Sequence, residues 1–226
     1  MKLTMFAFGI RFCKGFHVED QLGTIVDDIL YSSDSKFNEE LFPELQRGNG
    51  IRRLINKNQN CNLTISSTDI IFEYQVKYDF NKEFEEFLTE FEDRILKKVF
   101  KTYKINNILR FGFIVGAELS EEDKLLKSIS QVINTNYQEV PNDAISLRFN
   151  IVNKKPLKIG KEVTQDFDNT IITYDKENHD AKLIFSVDYQ KFFNPSLDTI
   201  DDAPINYGSF CKKCYESYKK KYGTKQ

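Results

Sequence analysis

Few residues in this chain have the type and spacing for chemistry, and the pair Cys211-Lys-Lys-Cys214 comes first. A C-x-x-C pair supplies two thiolates, whereas a structural zinc site needs four ligands. Cys13 and His17 are the nearest in type to complete it, and they lie at the far end of the sequence. Positions i and i+3 of a helix share a face, so the spacing predicts two small side chains packed inward. A redox pair belongs at a helix N-terminus after a strand; this one falls inside a helix whose end is crowded with lysines. No metal and no cofactor is expected. His17 precedes a helix and His179 lies in the polar turn 175–180, and neither has an acid at a metalloprotease spacing.

Carboxylates cluster at Asp27/Asp28, Asp166/Asp168 and Asp198/Asp201/Asp202. Metal-dependent hydrolysis needs two or three acids around one cation, and only Glu73-Tyr-Gln-Val-Lys77 hints at an acid–lysine strand. We read these groups as solvated faces. Gly48-Asn-Gly50 and Gly112-Phe-Ile-Val-Gly116 match neither phosphate-loop pattern, and no nucleophile elbow occurs. We expect no catalytic residue and a non-enzymatic protein.

Binding is the remaining class. Lys212, Lys213, Lys219, Lys220, Lys221 and Lys225 crowd the last segment, interleaved with Tyr207, Tyr215, Tyr218 and Tyr222, and Arg47, Arg52, Arg53 and Lys57 form a second basic group. Lysines can neutralise phosphates while tyrosines stack on bases. The competing reading is a terminal helix whose tyrosines pack on a sheet and whose lysines face water. Phe192, Phe193, Phe37, Phe42 and Tyr78 fall in expected loops or strand ends and are candidate contacts for a protein partner.

The elements that must position these residues follow from pattern. The 226 residues include 20 Phe and 11 Tyr but no Trp, enough aromatic bulk for a core without disulfide or metal staples. The four cysteines then read as reduced thiols. A net charge of −2 argues against a dedicated nucleic-acid binder. No apolar run is long enough to span a bilayer, and the opening residues read better as a strand than as a signal peptide. A cytoplasmic protein with no membrane partner is expected.

Strands are predicted at 2–12, 63–76, 108–119, 144–152, 170–174 and 182–189, with a turn at 66–69. Helices are predicted at 18–31, at 81–103 with Asn81 as cap, at 121–133 after Ser120, and at 205–222. Residues 33–60 suggest short helical turns broken by Pro43 and Gly48-Asn-Gly50. The fold class expected is α+β, an antiparallel or mixed sheet covered by helices. Its first half reads as a ferredoxin-like β-α-β-β-α-β unit over 1–119. A second α+β unit over 120–226 packs on or continues the first sheet. The similarity of Leu109-Arg-Phe-Gly-Phe-Ile-Val115 to Leu147-Arg-Phe-Asn-Ile-Val152 suggests a partial second copy.

The order of Ser66-Ser-Thr-Asp-Ile-Ile-Phe-Glu-Tyr, the helix Phe84–Phe100, Ile108-Leu-Arg-Phe-Gly-Phe and Leu183-Ile-Phe-Ser-Val-Asp188-Tyr resembles a family of uncharacterised bacterial proteins described as sporadically distributed. That family continues its Arg-x-Gly strand into Arg-Tyr-x-Asn, where Phe113-Ile-Val-Gly116 stands here. The resemblance implies no established activity. It implies an accessory gene, for example of a bacterial conflict system such as phage defence or toxin–antitoxin pairs, while the missing catalytic set, the balanced charge and the many aromatics point to a non-enzymatic accessory or regulatory protein that binds another protein, expected to be encoded nearby. The alternative is an RNA- or DNA-binding subunit using a ferredoxin-like sheet and a basic last helix, with Lys212, Lys213, Tyr215, Lys219, Lys220, Lys221, Arg52 and Arg53 as its contacts.

Overall fold

Alternation decides the first strand. In β1 (Lys2–Phe12) Phe6, Phe8, Ile10 and Phe12 are at most 1% exposed and share one face, while Arg11 points the other way. In this computed structural model, which describes residues 1–31, 35–48, 50–119, 147–159, 162–176 and 183–223, β1 lies between β5 (Asp69–Gln75) and β6 (Ile108–Leu119). Phe8 sits opposite Phe72 on one neighbour and Phe113 on the other, with ring centroids 6.0 and 5.9 Å away. Three strands thus offer one continuous row of phenyl rings.

That row recruits helix α3 (Phe80–Glu90), whose Phe80, Phe84 and Phe87 recur at helical spacing. Phe84 lies 6.0 Å from Phe6, 5.9 Å from Phe8 and 5.5 Å from Phe113. The helix continues as π-helical turns over Phe91–Val99 and ends at Phe100–Thr102. Its cap is Asp79, whose Oδ1 accepts from the Lys82 amide at 2.9 Å, and not Asn81, which already lies inside the helix. Buried Glu83 completes the start by accepting from the Lys77 and Tyr78 amides at 3.0 and 2.7 Å. Short helices α1 (Phe16–Asp20) and α2 (Leu22–Leu30) follow β1 and bury Val18, Leu22, Ile25, Val26 and Ile29.

The expected ferredoxin-like unit is not the fold. Within 33–60, where helical turns are expected, β2 (Glu44–Gly48) and β3 (Ile51–Asn56) form a hairpin with Gly50 at φ +68° in its turn, and Lys57–Gln59 forms one 3-10 turn. Leu54 on β3 is buried opposite Leu63 of β4 (Cys61–Ser66), so packing on the sheet overrides weak local propensity. The first half therefore runs β-α-α-β-β-β-β-α-β. A second copy is also absent among the described residues: β7 (Leu147–Ile159), β8 (Glu162–Lys176) and β9 (Leu183–Leu197) are consecutive strands of the same sheet. The described strands form one nine-stranded sheet in the order β2-β3-β4-β5-β1-β6-β9-β8-β7, antiparallel at every pairing. β6 is central and β7 is an edge, so the two similar Leu-Arg-Phe segments do not hold equivalent places. The expected helix 121–133 lies outside the described residues. No described helix is long and apolar enough to cross a membrane.

Candidate functional site

The last helix, α4 (Tyr207–Tyr222), carries most of the residues singled out for binding, and its position is fixed at its start. Asn206 caps it by accepting from the Ser209 amide at 2.8 Å, and Glu92 of α3's continuation accepts from the Gly208 amide at 3.0 Å. A Cβ at Gly208 would come within 2.5 Å of the Glu92 carboxylate, so this glycine is a close-approach requirement. Tyr207 reaches between the two central strands, where its hydroxyl accepts from the Gly9 amide and donates to the Gly112 carbonyl, both at 2.8 Å.

With the helix so placed, its tyrosines are core. Tyr215 is 5% exposed, lies 5.0 Å from Phe80 and 5.1 Å from Phe84, and donates to Asn81. It has no free ring face for a base. Lys212 pairs with Glu85 at 2.7 Å, Lys219 pairs with Glu216 and lies over the Tyr215 ring, and Lys221 lies over Tyr222. Lys213 and Lys220 are exposed. Arg52 donates to the Gly48 and Ile51 carbonyls, while Arg53 donates to Thr64 Oγ1 at 3.4 Å. Four strands separate β3 from β9, where α4 packs through Tyr218 and Tyr222 on Phe185, so the two basic groups do not form one surface.

The candidate partner contacts need the same correction. Phe37, Phe42 and Phe193 are 0%, 2% and 3% exposed and belong to the core. Phe37 packs 4.9 Å from Phe72, and Phe193 packs edge-on at 4.9 Å from Phe111. Phe192 is half-buried, stacked 4.5 Å from Phe167 with the Arg110 guanidinium 5.6 Å above its ring. Tyr78 is 90% exposed. Cys211 is buried, and Cys214 is half-buried with its thiol pushed up to about 12 by burial. Both are protonated at neutral pH and poor metal ligands or nucleophiles. Among the described residues no three His, Cys, Asp or Glu side chains come together to hold a metal.

Two features that the sequence order does not reveal stand out. One is a pocket of about 460 Å³ between α4 and strands β8 and β9. Lys191 lies along its wall with a side chain 7% exposed, and its Nζ is 3.8 Å from Asp168 Oδ1. Tyr189, Thr170, Phe210, Lys213 and Cys214 are among the other lining residues, with Asn153 contributed by β7. Burial raises the Tyr189 hydroxyl above its ordinary value. Asn169 and Gln190, also among the residues lining the pocket, are buried, and Asn169 donates to Gln190 at 3.0 Å while Gln190 donates to Asp188. Burial there raises the Asp188 carboxyl, against the lowering effect of Gln190 and Arg110.

The second feature is the edge itself. Among the described residues no strand lies beyond β7, and it exposes Ile151 (50%) and Val152 (53%), one on each face. Pro156, which has no N–H, interrupts its second half, and Lys154 projects there exposed. Both devices blunt an edge. Residues 147–153 have no proline, and their one charge, Arg148, pairs with Asp175 of β8 at 3.6 Å. No family model matches the chain, and no curated protein matches it.

Proposed function

We propose that this chain is a non-enzymatic accessory or regulatory protein that binds another protein through the open edge of β7. The observation that supports this reading is the first half of β7, a strand edge whose outer backbone groups have no strand partner among the described residues, with two exposed β-branched residues. Such an edge accepts an extended segment of a partner, with main-chain hydrogen bonds supplying affinity and alternate side chains supplying specificity. Of the aromatic residues first considered as contacts, Phe37, Phe42 and Phe193 are spent in the core, and the edge takes their place. The implied setting, a bacterial conflict system, adds that the partner is encoded nearby.

The test is co-expression with the products of neighbouring genes, followed by hydrogen exchange on the purified complex. Amides of residues 147–153 are expected to gain protection, and Val152→Lys is expected to dissolve the complex without unfolding the chain. A complex whose β7 amides exchange as in the free protein would sink the proposal.

A further inference from the structure

The pocket beneath α4 goes beyond that reading, because it needs no protein partner. Its charges are unequally satisfied. Asp166 accepts from the Asn194 amide at 2.8 Å, and Asp168 has the Lys191 ammonium at 3.8 Å. The ammonium groups are less well served. The Lys191 side chain is only 7% exposed, and the carboxylate oxygen it faces among the described residues, Asp168 Oδ1, lies beyond hydrogen-bond reach. The Phe193 ring, 5.7 Å from Nζ, provides only a face. Lys213 lines the same pocket from α4, exposed and without an ion-pair partner among the described residues. A buried ammonium left short of acceptors is costly, and the group that would relieve it is an anionic oxygen.

The rest of the lining sets the ligand's other end. Pro204, Ile205 and Phe210 give the pocket an apolar wall, and its volume of about 460 Å³ is that of a metabolite-sized site. Tyr189 adds a hydroxyl to the same lining. We propose that this pocket binds a small organic anion, its carboxylate or phosphate oxygens on Lys191 and Lys213 and its apolar body on Phe210 and Ile205. The step is binding alone, with no bond made or broken.

Calorimetric titration of the isolated protein with 3-phenylpropionate, phenyl phosphate and the neutral 3-phenylpropanol tests this. Saturable binding is expected for one of the two anions, which identifies the acid group, and none for the alcohol. Lys191→Met is expected to weaken binding by about tenfold or more, since a charge-assisted contact of roughly 1.4 kcal/mol or more is lost. Lys213→Ala, at an exposed position, gives a smaller loss and covers the case in which Lys191→Met does not fold. Neither anion binding, the alcohol binding as well, or Lys213→Ala and a folded Lys191→Met both binding undiminished would each overturn the proposal. Val152→Lys leaves this binding unchanged, so its outcome is independent of the β7 edge.

Discussion

β1 and β7 are both long strands carrying apolar residues, yet they do opposite work. β1 has a strand on each side and a helix across one face, and Phe6 and Phe8 are fully buried. Among the described residues β7 has one neighbour, and its Ile151 and Val152 are half exposed. The residue types alone would not separate them, since Ile and Val favour strands as strongly as Phe does. Position in the sheet separates them. A strand with two neighbours spends its apolar side chains on stability, while a strand with one keeps both side chains and backbone groups available.

The largest expected effect tests the central half of this contrast. Phe8→Ala removes a ring shared by three strands and α3, and a loss of about 3–5 kcal/mol is expected in urea unfolding. A loss as small as that of a surface residue would break the comparison. Tyr207→Phe comes next. Deleting the hydroxyl between Gly9 and Gly112 strips a buried amide and carbonyl of a partner, at a cost of about 1–3 kcal/mol. Circular dichroism should show the fold retained.

Asp188 sharpens the comparison at the border between the two regions. Its carboxyl is raised in the folded chain, so the native state holds that proton more tightly than the unfolded one. Stability from this group is fully present below the ordinary carboxylate range and falls as pH rises through the raised value. Asp188→Asn is expected to remove that fall, gaining on the wild type at neutral pH relative to acid pH when urea midpoints are compared. The smallest effect belongs to the edge: Val152→Lys should change stability by no more than about 0.5 kcal/mol. A large destabilisation there would mean that β7 is packed, not free.

Sequence legibility followed the same division. The alternation of Phe6, Phe8, Ile10 and Phe12 and the helical spacing of Phe80, Phe84 and Phe87 marked central elements whose faces are wholly apolar. The tyrosines of α4 were readable as core because they recur at helical spacing, although the lysines between them offered a rival reading. The hairpin β2–β3 was not legible. Its only buried apolar side chain is Leu54, and Asn56 is buried beside it, so no periodicity announces it. Phe37, Phe42 and Phe193 misled because loop position suggested exposure, whereas a ring that size is drawn to whatever core lies nearby. The pocket combines β8, β9 and α4, and the contact of Lys191 with Asp168 exists only after the strands pair.

The hydroxyl of Tyr207 carries a consequence for the order of assembly. It joins residues separated by 198 positions, between two strands that are themselves about a hundred residues apart in the chain. As the chain leaves the ribosome, β5 and α3 can cover one side of β1, but its other edge waits for a partner until β6 has been made. The bridge over their pairing waits longer, until Tyr207 emerges. The middle of the sheet is thus the last place to be locked, and the nascent chain is most open to unwanted association during that interval.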